Sequence, residues 1–297
     1  MTEAVFRRAW RAATSTGPGY EPRPAGRFYR TDAVRGYYVD YRAKTVTPAE
    51  NGVPTTAVAL AQRALGWWER GLAGEDGAEA SFLALAAELQ RSAVAVDGEL
   101  RWQYLTAVPK YGLTPPWCSA MAQGQAASVF VRAYRAGGDE RFAEDALRAI
   151  ASLVHESELV DVTPDGPVLE EAPSRPPSHI LNGWIYALWG LWDVAVGLDD
   201  AAALRGFEAG VGCLRRRLDR YDLGWWTRYS LAADGLDVAK PYYHRLHVDQ
   251  AAVLGRLAAA PDIAEASRRW AGYDRPVNVA RALLSKAGEA ARARSRE

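Results

Sequence analysis

The sequence predicts an all-α chain. Residues 54–297 read as an (α/α) toroid, or barrel, of helical hairpins, and residues 1–53 as an N-terminal arm that is extended or carries a small β-hairpin. Three observations predict this. From Pro54 onward, apolar residues recur three and four positions apart, the period of a helix with one buried face. Two kinds of helix alternate. Those opening at Trp117, Trp184 and Leu246 follow a loop directly and carry little charge, whereas their successors at Phe142 and Leu204 have a charged face. In a ring of hairpins the inner helices are buried on two sides and the outer ones on one side, which gives that alternation. The third observation is the stretch from Gly166 to Asp193, GPVLEEAPSRPPSHILNGWIYALWGLWD, which passes from a proline-rich loop into a helix apolar on every side. Such a helix is buried. A plain stacked helical array is the alternative, since no strict repeat of fixed period is found.

In the arm, GRFYR from Gly26 and GYYVDYRAK from Gly36 alternate aromatic and polar residues, the period of short strands. Val58, Ala61, Leu65, Trp68 and Leu72 mark the first helix, and Phe82, Leu85, Leu89 and Ala93 the second. ELRWQYLTAVPKYGLTPP is loop or extended. Pro115 and Pro116 precede the third helix, and Gly137 and Gly138 end it. Phe142, Ala146, Ile150 and Leu153 give the fourth. Pro164, Pro167, Pro173, Pro176 and Pro177 hold the next segment irregular until Ser178, because proline lacks an N–H and restrains its predecessor. The buried helix at Trp184 follows, then an amphipathic one on Leu204, Phe207, Val211, Leu214 and Leu218. Further helices begin near Leu246, Ile263 and Val277.

The totals narrow the function classes. Formal net charge is zero over 297 residues, so bulk electrostatics point to neither nucleic acid nor a membrane surface. No segment is long and apolar enough to span a bilayer, and the first residues lack the apolar core of a secretion signal, so a cytoplasmic location is expected. The oligomeric state is left open, a homodimer included. Cys118 and Cys213 lie in apolar stretches and read as buried thiols. Eleven tryptophans, several in clusters such as Trp67-Trp68 and Trp225-Trp226, agree with sugar stacking as well as with core packing. In a toroid, the loops entering the inner helices meet at one end. The loops before Trp117, Ser178 and Leu246 would then join GWWTRYSL after Asp222, and these four stretches hold most of the unusual polar residues. Among these residues, Glu170 and Glu171 are adjacent carboxylates at the mouth of an aromatic core, where a carboxylate can serve as acid or base.

Four ordered segments resemble the C-terminal domain of the D-glucuronyl C5-epimerase family. PWCSAMAQGQAASVFVRAY (from Pro116) is similar to the family's Trp-x-Ser-Ala-Met-Ala-Gln-Gly-Gln run. EEAPSRPPSHILNGWIYALWGLWD (from Glu170) is similar to its Glu-Glu-Tyr-Pro loop leading into Leu-Asn-Gly. YDLGWWTRYSL (from Tyr221) and YYHRLHVDQAAVL (from Tyr242), the latter similar to Tyr-His-x-x-His-x-x-Gln, complete the set. With GYYVDY near the start, the resemblance covers roughly Gly36 to Tyr273. It implies an α/α barrel acting on a uronic-acid-containing glycan. The C5 proton is removed and one is returned to the opposite face, turning D-glucuronate into L-iduronate without a redox cofactor. By position it implies Glu171 and Tyr243 as the catalytic pair, with Tyr229 supporting. Trp117, Gln123, Asn182, Arg228, His244 and His247 are expected to bind substrate. The sequence departs from the family at Ala172, where the family has tyrosine, and at Ser230-Leu231-Ala232, where it has Asp-Leu-Arg.

The chemistry makes its own demands. A proton α to a carboxylate is very weakly acidic, so the carboxylate must be neutralised and the enediolate held. Arg175, Arg228, His244 and His247 are the cations near the four segments; Gln123, Asn182 and Gln250 are amides suited to hydroxyls. Arg228, His244 or Arg245 could lower the pKa of Tyr229 or Tyr243. No histidine and carboxylate set has metal-ligand spacing, so no metal is expected. A uronate lyase begins with the same proton abstraction, and a glycan-binding protein without catalysis is the reading of a different class.

Overall fold

The computed structural model describes residues 56–72, 75–232 and 236–294. The arm and its expected hairpin lie outside the described residues. Among the described residues the fold is all-α. The helices are α1 (Ala57–Leu72), α2 (Ala78–Arg91), α3 (Ala120–Gly137), α4 (Glu140–Val154), α5 (Leu181–Leu198), α6 (Ala201–Arg217), α7 (Pro241–Leu257), α8 (Pro261–Ala271) and α9 (Pro276–Arg294). Two antiparallel ribbons interrupt them, β1 (Val94–Val96) with β2 (Glu99–Arg101), and β3 (Val160–Thr163) with β4 (Gly166–Leu169). None of these helices is long and apolar enough to cross a membrane.

Consecutive helices pack as hairpins: α1 on α2, α3 on α4, α5 on α6, α7 on α8. The first members also pack on one another in chain order, α1 to α3 to α5 to α7. Burial follows the alternation read from the sequence. Every residue of α3 from Ala120 to Ala133 is buried, and α5 is buried almost throughout, whereas α4 and α6 each keep an exposed face. α4 and α6 are capped by acidic side chains, Asp139 accepting from Arg141 N–H and Asp200 from Ala203 N–H.

α3 and α5 touch backbone to backbone. A Cβ placed on Gly190 would come within 2.3 Å of Gly124 Cα, and one on Gly124 within 2.6 Å of Ala187 Cα. Further along the same pair, Arg132 Nη1 meets Asp193 Oδ2 at 2.6 Å, both side chains buried. Both cysteines are buried and unbridged, although Cys118 sits two residues ahead of α3 rather than inside it.

Two expectations are corrected. The proline-rich segment is not irregular throughout: Pro167 pairs with Val162 in the β3–β4 ribbon. A two-stranded ribbon has only edges, so a residue without an N–H is tolerated there, and Gly166, at φ 114, takes the turn that a side chain would resist. α7 begins at Pro241, five residues before the apolar pattern announces it, because proline's missing N–H and fixed φ suit the first helical position. Tyr242, Tyr243 and His244 therefore stand in the first turn of a helix, not in a loop.

Candidate active site

A cavity of about 490 Å³ opens where the loops before α3, α5 and α7 meet. Its lining includes Glu171, Tyr229, Tyr243, Trp117 and Asn182, five of the nine residues singled out from the sequence. Tyr104, Tyr111, Tyr242 and Met121 also line it. The walls are thus largely aromatic, and Tyr104 and Trp117 form one of them, stacked at 4.4 Å between centroids. Their backbones pair reciprocally, and Trp117 Nε1 donates to Thr106 O at 2.8 Å, which fixes the ring.

The two adjacent glutamates have different tasks. The Glu170 carboxylate is buried and accepts from Ser178 N, Ser178 Oγ and His179 N, so it ties the loop down. Its main chain does the same: Glu170 N donates to Leu159 O and Glu170 O accepts from Ala120 N, linking the ribbon to the start of α3. Alternation along the chain then turns Glu171 to the other side, into the cavity. Burial pushes the Glu171 carboxyl up to about 7, against the opposing hydrogen bond from Asn182 Nδ2 at 3.2 Å. Glu171 lies directly on the first turn of α5. A Cβ on Gly183 would stand 2.2 Å from Glu171 Oε2 and 2.4 Å from Glu171 Cβ. The Leu-Asn-Gly run thus places the amide that binds the carboxylate next to the glycine that makes room for it.

Tyr229 and Tyr243 come from separate segments and meet at 4.7 Å between ring centroids; Tyr242 packs edge-on against Tyr243 at 5.3 Å. Burial holds the Tyr229 phenol well above its ordinary pKa, the opposite of the lowering that neighbouring cations were expected to give. It is therefore a proton donor at neutral pH. Tyr229 is fixed through its backbone, its carbonyl accepting from Leu181 N and its N–H donating to Asp237 O.

The remaining expected residues lie elsewhere. Gln123 Nε2 donates to Leu100 O and Ala149 O, both at 2.7 Å, and its Oε1 accepts from Trp102 N. Met121 faces the cavity, and two residues along a helix is roughly 200° around it, so Gln123 points into the packing between α3 and α4. Gln250 Nε2 donates to Asn182 O, supporting the asparagine from behind. Arg228 is half-buried on a bridge to Val238, and Arg175 is exposed; neither lines the cavity.

His244 and His247 are buried and do not line it either. Both Nδ1 atoms lie 3.0 Å from Thr227 Oγ1, and His244 Nε2 donates to Trp270 O at 3.1 Å. His244 Nδ1 must then accept the threonine hydroxyl, and His247 Nδ1–H must donate to it. Burial lowers their pKa values to about 4 and about 3. They are neutral at pH 7, so they cannot offset a substrate carboxylate. Instead they clamp the first turns of α7 to the Trp226-Thr227 segment, with Trp226 stacked on His244 at 3.7 Å, and so hold Tyr243 against Tyr229.

Asp161, Glu170 and His179 gather their ligand-type atoms within 4.8 Å of one another, beside this site. Arg217 Nη1 faces His179 Nδ1 at 3.2 Å and must donate to it, so Nε2 carries the proton and donates to Asp161 Oδ2 at 2.7 Å. The sequence spacing did not announce this histidine and carboxylate set, and here both nitrogens of the imidazole are engaged in hydrogen bonds.

A family profile described as "D-glucuronyl C5-epimerase C-terminus" matches residues 96–272. The D-glucuronyl C5-epimerase of Caenorhabditis elegans is 31% identical over 185 residues, which cover 55% of this chain and 30% of that protein. An uncharacterised protein of Methanocaldococcus jannaschii, MJ1128, is 27% identical over 154 residues, half of each chain. The chain thus matches less than two thirds of the length of either relative. The matched segment contains the loops before α3, α5 and α7 together with the cavity residues from Tyr104 to Tyr243, and it spans more than half of the chain: the chain belongs to the family of the D-glucuronyl C5-epimerase C-terminus.

Proposed function

We propose that the chain is a uronosyl C5-epimerase, and that its helical hairpins form an α/α toroid with the cavity at one end. The observation that carries this reading is the meeting of Glu171 in one aromatic cavity with Tyr229 and Tyr243, both of which lie more than 50 positions beyond it in the sequence. The reaction needs a base on one face of C5 and an acid on the other. Glu171, with a carboxyl near 7, is matched to removing the proton: the C–H bond breaks, the proton passes to the carboxylate, and the electron pair moves into the substrate carboxylate as an enediolate. Tyr243 returns a proton to the opposite face, and the reverse reaction exchanges the roles. Tyr229, a neighbouring phenol that keeps its proton, donates a hydrogen bond to the developing charge. Asn182 Oδ1 has no partner among the described residues and is available to a sugar hydroxyl. The aromatic walls suit the apolar face of a pyranose. The substrate is a glycan containing glucuronosyl residues, and the reaction calls for no redox cofactor.

The test is proton NMR of the protein with glucuronate-containing oligosaccharides in D2O. Deuterium at C5, followed by iduronate signals, is expected. Glu171→Gln and Tyr243→Phe should each lower the exchange rate by about 10²-fold or more while folding normally. Full activity in either variant removes that residue from the mechanism. An unsaturated product absorbing in the near ultraviolet would assign a lyase, and tight binding without exchange a glycan-binding protein.

A further inference from the structure

Abstraction of a proton α to a carboxylate requires a cation against that carboxylate, yet the described lining of the cavity contains no arginine, lysine or histidine. A lysine, Lys110, stands against two of the rings that line it, those of Tyr111 and Tyr229. Pro109–Tyr111 forms a single 3₁₀ turn, closed by the reciprocal hydrogen bonds of Val108 with Leu113 and by Gly112 at φ 62. The turn directs Tyr111 into the cavity and leaves Lys110 over the rings of Tyr111 and Tyr229. Lys110 Nζ lies 4.9 Å from the centroid of the Tyr111 ring and 5.3 Å from that of Tyr229. Its field reaches the cavity carboxylate, where it opposes the upward shift of Glu171.

Lys110 is paired with Asp237 at 2.8 Å, but the pair is unequal: the aspartate side chain is 8% exposed and the lysine 54%. Asp237 does not depend on Lys110. Its Oδ1 also meets Lys286 Nζ at 2.6 Å, and its Oδ2 accepts from Ser230 Oγ at 2.6 Å. Two lysines thus converge on one buried aspartate, and the exposed one can leave without stranding a buried charge. A lysine on a flexible stem with three rotatable donors is suited to exchanging one carboxylate for another.

We propose that Lys110 binds the carboxylate of the substrate's uronate, leaving Asp237 to do so, and that it sets the preference of the cavity for uronosyl over neutral sugars. This rests on the epimerase reading of the cavity. The cation is supplied by a turn outside the four segments that carry the family resemblance.

The experiment is a tryptophan-fluorescence titration of the full chain with a glucuronate-containing tetrasaccharide and with its carboxyl-reduced counterpart, in which each glucuronosyl unit is a glucosyl unit. The wild type is expected to bind the uronate form more tightly. Lys110→Gln should lose about tenfold in affinity for that form, ~1.4 kcal/mol, with affinity for the reduced form unchanged. Lys110→Arg, which keeps the charge, should retain most of the preference. A Lys110→Gln protein that keeps the wild-type preference overturns the proposal while leaving the epimerase reading intact. A wild type that binds both saccharides equally overturns the uronate reading and this proposal with it.

Discussion

At the scale of single residues, the site depends on a missing side chain. Gly183 has no Cβ, and the Glu171 side chain occupies the space where one would be. The nearest atoms include Glu171 Cβ, which is not the free end of a flexible group, so an added methyl must displace the loop itself. Misplacing a reacting group by about 1 Å can cost on the order of 10²-fold in rate. Gly183→Ala is therefore expected to lower the rate of C5 proton exchange by about that factor. Alanine also favours the helix, by roughly 0.5–1 kcal/mol, so the melting temperature should change little. A variant with wild-type exchange would show that the carboxylate does not act from this position. Glu171 was legible as a site residue because it lies between prolines and a helix apolar all round. Its distinction from Glu170 came only from the resemblance, by position, because two adjacent glutamates otherwise differ only in which side of the chain they face. Gln123 misled for the same reason: an amide in a helix discloses its direction only through its neighbours, here Leu100, Ala149 and Trp102.

At the scale of elements, α7 is held by its histidines. With folded pKa values of about 4 for His244 and about 3 for His247, against an ordinary 6.5, the folded state binds fewer protons than the unfolded chain. The histidine contribution is complete above pH 6.5 and is lost as pH falls from 6.5 through about 4 for His244 and about 3 for His247. Glu170 and Glu171 act in the opposite sense. Their raised carboxyls favour the fold below the usual 4.5 and withdraw that support as pH rises through about 7. Urea denaturation followed between pH 4 and 7 should show stability falling towards acid less steeply in the wild type than in Glu171→Gln, which lacks one opposing group. An identical slope in both proteins would contradict the raised carboxyl. The helices themselves were legible from their apolar period. The short ribbons were not, since three or four residues are too few to establish an alternation, and the start of α7 was obscured because Tyr242, Tyr243 and His244 serve the cavity and the clamp rather than an apolar stripe.

At the scale of the molecule, the sequence could say which segments are polar and unusual but not how closely they meet. That depends on the contact of α3 with α5, where Gly124 and Gly190 let two backbones touch, and on the order in which α1, α3, α5 and α7 pack. The segments then join one another directly. Ala120 N–H bonds to Glu170 O, Leu181 N–H to Tyr229 O, Leu231 N–H to Ser178 O, and Tyr229 N–H to Asp237 O. The first three of these bonds cross from one segment of the site to another, so none of them can be released by fraying of a single loop, whereas the fourth closes the loop before α7 on itself. Local opening energies in a protein are shared by groups that must open together. Followed by hydrogen exchange, the amides of Ala120, Leu181 and Leu231 should therefore report one common opening free energy, near that of global unfolding. Widely different values would mean that the loops move separately. A common value makes the cavity a preformed receptor, whose traffic with solvent passes through its mouth while its walls stay closed.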